Sequence, residues 1–213
     1  MYKKYFKRLF DIVCALSAII VFSWLYIVVA ILVRINLGSP VIFKQPRPGK
    51  DGKIFTLYKF RTMTEKKDED GNLLPDDVRL TKFGRFLRST SLDELPEAFN
   101  ILNGDMSVVG PRPLSVRYLG YYTPEEFRRH DVRPGLSGLA QINGRNNLQW
   151  EDRFAYDTKY IDNITFVNDL KIILATISKF IKRDGIVVRG EGKAIDFDTY
   201  RRKQRENLYD INR

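Results

Sequence analysis

The chain has 213 residues and a formal net charge of +10, with 36 Lys and Arg against 26 Asp and Glu. That length supports one folded domain plus appendages, and that charge selects anionic partners such as acidic lipid, phosphorylated substrates or nucleic acid. A single cysteine, Cys14, and a single histidine, His130, exclude an intrachain disulfide and zinc sites built on paired Cys or His, leaving carboxylates, Lys, Arg and hydroxyls for any chemistry.

The first element is apolar. Ile12 to Val33 carries no charge and as a helix reaches about 33 Å, the thickness of a bilayer hydrocarbon core. The run is too long for a cleaved signal and lacks a small-residue cleavage pattern. Lys3, Lys4, Lys7 and Arg8 precede it, and Arg34, Lys44, Arg47, Lys50 and Lys53 follow it. Positive charge on both flanks favours both ends on the cytoplasmic side, hence a helix that enters the bilayer and returns. No proline lies in the run, and Ser17 and Ser23 would bend a helix only gently, so a plain spanning helix is the alternative.

Two β-branched and aromatic runs follow, near 41–45 and 54–61, joined through Asp51-Gly52 as a hairpin. The polar stretch after them contains Asp68-Glu69-Asp70, which reads as solvated loop rather than metal site. A helix is expected from about Thr81, with Phe83, Phe86 and Leu87 inward. Another is expected from Pro96, burying Phe99 and Leu102 and stopping at Gly104. Thr123, Pro124 and Glu126 form a capping box for a third. A fourth covers about 150–161. The last, about 169–183, is amphipathic, with Leu170, Ile173, Leu174, Ile177 and Ile181 on one face; a core-facing and a membrane-surface position fit this pattern equally. Beyond Gly185 the composition is polar and reads as a loosely ordered tail. The expected fold is a helix-rich α+β arrangement: membrane helix 1–36, catalytic domain 37–185, tail 186–213.

Asp93 and Glu94, in "SLDELPEAF", are the candidate reactive groups. A capping box from Ser91 to Glu94 is the structural alternative, but Pro96 would delete a needed hydrogen bond in such a helix. Starting the helix at Pro96 leaves both carboxylates in the preceding turn, placed to bind a divalent cation or to act as nucleophile and base. Lys59, Arg61, Arg88 and Arg112 are candidate phosphate ligands, Arg112 lying on the stiff "GPRP" loop. The glycine-punctuated segment Arg133 to Asn146, which includes Arg145, suits close approach to a nucleotide or a purely structural turn. Asp157 interrupts the apolar stripe Trp150, Phe154, Ile161 and needs a partner, either a structural arginine or a functional cation. His130 has no second ligand or nucleophile nearby in sequence and reads as structural.

The blocks "FKQPRPGKDGKIFTLYKFRTM", "SLDELPEAFNILNGDMSVVGPRP", "HDVRPGLSGLAQINGRN" and "FAYDTKYIDN", in this order after an apolar helix, resemble the bacterial sugar transferases, specifically the small monotopic phosphoglycosyl transferases of the PglC type. The resemblance covers about residues 1–183. It implies transfer of a sugar 1-phosphate from a UDP-sugar to polyprenol phosphate with release of UMP, at the cytoplasmic face of the bacterial inner membrane. Asp93 would be the nucleophile, forming a covalent phosphosugar intermediate, and Glu94 its partner; both would bind Mg²⁺. Lys59, Arg88, Arg112 and Arg145 would bind substrate phosphates, and Asp157 would join the cation or substrate network. Two departures stand out. Ser23-Trp24 replaces the family's Ser-Pro in the membrane helix, and Pro46 stands where a charged or small residue is expected. A non-catalytic membrane adaptor binding anionic lipid is the competing reading. Nucleic-acid binding has charge in its favour, but no motif supports it.

Overall fold

The computed structural model describes residues 1–144, 148–182 and 195–211. It is a helix-rich α+β fold with two small two-stranded sheets. The apolar run does not form one helix. A π-helical turn, Tyr2–Phe6, leads into α1 (Lys7–Val21), and α2 (Ser23–Leu37) follows. Among the described residues no single helix is long and apolar enough to cross a membrane, whereas Tyr2–Val21 and Ser23–Leu37 qualify together as a pair bent by 64°.

The bend occurs without proline. Phe22 sits outside helical geometry at φ −98° and ψ 12°, and its carbonyl accepts from Leu25 and Tyr26 to start the second helix. The cause lies outside the run, in polar bonds that fix each arm to the rest of the molecule. On α1, Asp11 accepts from Ser107 Oγ (2.9 Å) and Val108 N–H (3.0 Å), while Arg8 donates to the carbonyls of Ile101 (2.5 Å) and Leu102 (2.7 Å). On α2, the Tyr26 hydroxyl donates to the Leu95 carbonyl at 2.6 Å. Val29, Val33 and Leu37 bury one face of α2 against Phe60 and Leu87. The tip between the arms projects Ile20, Val21, Phe22 and Trp24 into the surroundings.

Strands β1 (Ile42–Pro48) and β2 (Ile54–Phe60) pair antiparallel, with Ile42 opposite Phe60 and Pro48 opposite Ile54. Asp51 (φ 57°) and Gly52 (φ 71°) both take left-handed backbone at the turn, the conformation Asp-Gly accommodates at least cost. The Asp68–Asn72 segment is an exposed turn closed by its own backbone, as the loop reading expected.

Helices α3 (Asp76–Arg79), α4 (Lys82–Ser89) and α5 (Glu97–Asn103) follow. Thr81 caps α4 by accepting from Gly84 N–H. Leu87 is buried and Phe83 packs on the same core, but Phe86 is exposed. On α5 the buried residues are Glu97, Ala98, Asn100 and Ile101; Leu102 packs half-buried against Ala15, Leu57 and Met106, as expected, whereas Phe99 is exposed. Phe99 instead meets the Tyr26 ring edge-to-face at 5.7 Å. Strand β3 (Ser107–Val109) pairs parallel with β4 (Gly135–Ser137). Between them, Thr123 and Glu126 complete the expected capping box of the short α6 (Pro124–Phe127).

His130 is buried as a structural residue, its Nδ1 3.2 Å from the Gly49 carbonyl at the hairpin turn. Burial, followed by the neighbouring Arg129 charge, pushes its pKa down to about 4. The unfolded chain therefore binds this proton first. Stability from this residue is intact above pH 6.5 and is lost as pH falls toward 4, by roughly 2–3 kcal/mol. Denaturant midpoints of the wild type and His130→Gln should accordingly diverge above pH 5 and converge below it. Parallel curves would mean that the histidine is not held neutral.

Helices α7 (Leu139–Asn143), α8 (Trp150–Asp162) and α9 (Phe166–Lys182) complete the body. In α9 Asp169, Ile172 and Thr176 face inward, while Leu170, Leu174 and Ile177 are 41–57% exposed and continue an apolar row with Phe166, Val167 and Phe180. The side chain of Ile181 lies outside the described residues. The segment read as a tail contains α10 (Phe197–Ile211). Phe197 is fully buried among Leu114, Tyr118 and Phe154 with Tyr200 packed beside it, and Arg201 and the Tyr200 hydroxyl reach Glu126 and Glu151, contacts that the polar composition conceals.

Candidate active site

The turn holding the two carboxylates is not a capping box. Ser91 takes left-handed backbone (φ 51°, ψ 18°) and its side chain caps nothing. Leu92–Glu94 is a single 3₁₀ turn, and Pro96 occupies the N-cap of α5. Leu92 and Leu95 pack into the core beside Val29, Val33, Phe60 and Leu87. The leucines thus root the turn, and Tyr26 fixes its last carbonyl.

The cation opposite comes from β2. Only one edge of β2 is paired by β1, so the other needs partners. Asn100, fully buried on α5, supplies them: its amide donates to the Thr56 carbonyl at 2.7 Å and accepts from Tyr58 N–H at 3.0 Å. This side chain sets the register of helix against strand and brings Lys59 to the carboxylates. Lys59 Nζ lies 2.7 Å from Glu94 Oε1 and 3.0 Å from Glu97 Oε1. Arg112, from the loop after β3, reaches the same Glu94 oxygen at 2.5 Å. That loop is held by Gly110 N–H on the Ser137 carbonyl (2.8 Å) and Gly135 N–H on the Pro111 carbonyl (2.9 Å).

Arg88 approaches from α4. A Cβ at Gly84 would lie 1.8 Å from the Thr62 carbonyl oxygen, so only glycine lets α4 lie against the chain leaving β2. The contact places Arg88 Nε 3.1 Å from Thr62 Oγ1. Arg61 is structural, donating to the carbonyls of Met63 (2.9 Å) and Ser39 (2.6 Å).

These surroundings separate the carboxylates. Burial opposes ionisation of Glu94, but Arg112 and Lys59 override it and hold that carboxyl well below its usual range. Asp93, only 7% exposed and without those direct contacts, is pushed up to about 6 by burial and then by the Glu94 charge, against the pull of Lys59, Arg88 and Arg112. Burial raises Glu97 to about 7. Glu94 therefore neutralises the two nearest cations, and Asp93 is the carboxylate with reactivity in reserve.

Lys59, Arg88, Arg112, Asp93 and Glu94 thus converge. Asp157 does not join them directly: its Oδ2 receives Arg129 Nε (3.1 Å) and Nη2 (2.8 Å), the structural-arginine alternative of the sequence reading. Arg145 lies outside the described residues. Glu97, Asn100, Tyr26 and Arg129 were absent from the sequence reading. Only Glu97 left a signal there, three residues after Glu94 and so on the same side of the chain.

A family model described as bacterial sugar transferase matches residues 2–183. The chain belongs to the bacterial sugar transferase family. It is 53% identical over 180 residues to an uncharacterized sugar transferase, EpsL, of Bacillus subtilis, covering 84% of this chain and 89% of the relative. It is 45% identical over 184 residues to the UDP-glucose:undecaprenyl-phosphate glucose-1-phosphate transferase of Klebsiella pneumoniae, covering 82% of this chain and 40% of that protein. It is 38% identical over 199 residues to the undecaprenyl-phosphate galactose phosphotransferase of Salmonella typhimurium, covering 85% and 42%. This bacterial sugar transferase therefore spans less than half the length of those two relatives. Helix α10 lies beyond the part of the chain that the family model matches.

Proposed function

We propose that the protein transfers a sugar 1-phosphate from a UDP-sugar to a polyprenol phosphate through an aspartyl intermediate at Asp93. The observation that carries this reading is the buried turn in which three cations attend two adjacent carboxylates, only one of which they fully neutralise. The named activities of the Klebsiella and Salmonella relatives support the reaction class.

In the first half-reaction an Asp93 carboxylate oxygen attacks the β-phosphorus of the UDP-sugar. The bond from that phosphorus to the bridging oxygen breaks, and UMP leaves with the oxygen. In the second, an oxygen of polyprenol phosphate attacks the same phosphorus, the bond to Asp93 breaks, and polyprenyl-diphosphate-sugar departs. An anionic nucleophile approaching a diphosphate meets repulsion, which Arg88, Arg112 and Lys59 reduce at fixed positions. Glu94 holds Lys59 and Arg112 in place between turnovers.

The donor set fits Mg²⁺. That ion takes one or two carboxylates and completes its shell with water and phosphate oxygens. Asp93 and Glu94 would provide such a pair; among the described residues no group of three or more His, Cys, Asp or Glu side chains could hold a metal, so water and the diphosphate would have to complete the shell. Bound there, Mg²⁺ would neutralise charge on the diphosphate.

The bent helix pair acts as a re-entrant anchor. Its start is tied to the body where Tyr2 and Lys7 each reach Asp169 at 2.7 Å, and its end where Leu37 enters the core, so both ends sit on one side. The exposed apolar row of α9 lies on the bilayer surface beside it. In this reading the site and the phosphate end of the lipid acceptor lie at the cytoplasmic face, the side that positive charge on both flanks of the apolar run favours.

A panel of UDP-sugars assayed for UMP release with undecaprenyl phosphate and Mg²⁺ tests the chemistry. Release is expected from at least one donor, and silence across the panel would leave the adaptor reading. For the anchor, cysteines at Lys4 and at Lys203 in a Cys14→Ser background should both be shielded from an impermeant label in intact cells. Labelling at Lys4 alone would mean a spanning helix.

A further inference from the structure

Arg129 is 3% exposed and every arm of its guanidinium is used. Nε and Nη2 bind Asp157 Oδ2, Nη1 donates to the Tyr122 hydroxyl at 3.1 Å, and Nη2 donates to the Arg112 carbonyl at 2.8 Å. The rings of Tyr122 and Phe154 lie 5.8 and 5.6 Å from its central carbon. A buried ion pair is weak as a source of stability, because desolvation offsets most of the attraction. Its strength is geometric, since a planar fork between a carboxylate and a carbonyl fixes both.

The carbonyl it holds belongs to Arg112, the residue whose side chain meets Glu94. Pro111 and Pro113 flank it and offer no N–H, so few other backbone handles exist in this loop. The Arg112 side chain is half-exposed and long, and an anchored backbone reduces the freedom it must lose to meet Glu94. We infer that Arg129, oriented by Asp157, is a positioning residue that sets Arg112 against the catalytic turn. This rests on the proposed phosphosugar transfer. It gives Asp157 a role at a distance, acting only through Arg112 and never touching substrate.

The test is a double-mutant cycle on UMP release with Asp157→Asn, Arg112→Ala and the combined variant, each compared by kcat, KM and melting temperature. Asp157→Asn alone should lower kcat/KM by roughly 10- to 100-fold, as expected for a displaced charge. In the Arg112→Ala background the same change should cost less than about 3-fold, because the residue it positions is gone. Equal losses in both backgrounds would overturn the inference and return Asp157 to direct substrate contact or general stability. Should Asp157→Asn fail to fold, Arg129→Lys replaces it, since lysine keeps the charge but cannot reach Asp157 and the Arg112 carbonyl together. A second arm needs no turnover: the Arg112 guanidinium NMR signal should be protected from exchange in the wild type and lose that protection in Asp157→Asn. Unchanged protection would overturn the positioning role even if no UDP-sugar proved to be a substrate. Silence of the wild type on UDP-sugars together with lost protection would overturn the transfer reaction alone.

Discussion

Asp93→Asn should reduce UMP release by at least about 1,000-fold, the scale on which removing a covalent nucleophile acts. Asparagine keeps the volume of the side chain but offers an amide in place of a carboxylate. The membrane association proposed for α1, α2 and α9 should not change. The same substitution should leave the melting temperature in metal-free buffer unchanged or higher. The folded protein holds the Asp93 proton more tightly than the unfolded chain does, because burial and Glu94 both oppose ionisation. The ionised carboxylate is therefore a cost to folding that grows as pH rises from the ordinary carboxylate range through about 6. A neutral amide removes that cost, the pattern of a site kept reactive at the expense of stability. In the wild type quenched during turnover, mass spectrometry should find a phosphosugar adduct on the peptide containing Asp93. Turnover within tenfold of wild type, or an adduct on another residue, would remove Asp93 from the chemistry.

What the sequence disclosed was local. Pro96 made a helix from Ser91 untenable, and Asp51-Gly52 and the Thr123–Glu126 box each contain their own geometry within four residues. The features it concealed depend on contacts across the fold. Nothing inside Ile12 to Val33 announces a 64° bend, because the bonds that hold it come from Ile101, Leu102, Leu95 and Ser107. Phe86 and Phe99 looked like core on helical periodicity. Their exposure follows from what packs opposite: Gly84 brings α4 onto Thr62, and Asn100 turns α5 toward β2. The partner of Asp157 is 28 residues away, and sequence supplied the need for one without saying which. In α10 Phe197, with Tyr200 beside it, outweighs a polar composition because an aromatic pocket receives it.

Lys59→Met should be the most destabilising single change at the site. Lys59 is shared: with it gone, Glu97 loses its ion pair while only 2% exposed, and Glu94 keeps Arg112 alone. Breaking a buried pair by removing one partner costs about 3–5 kcal/mol, because the remaining charge stays desolvated. Glu97 can reduce that cost by staying protonated, since burial already raises it to about 7 and the loss of Lys59 removes the charge that opposes this. The loss should therefore grow as pH rises above 7, where keeping Glu97 neutral becomes harder. Glu97→Gln should cost less, because Lys59 retains Glu94 at 2.7 Å. Combining Lys59→Met with Glu97→Gln removes the orphaned carboxylate and should recover at least half of the lost stability in urea titrations. It should recover none of the activity, since the cation proposed to face the diphosphate is still missing. A double variant as unstable as Lys59→Met would show that Glu97 is not the source of the penalty. A double variant as active as wild type would show that the reaction does not need Lys59.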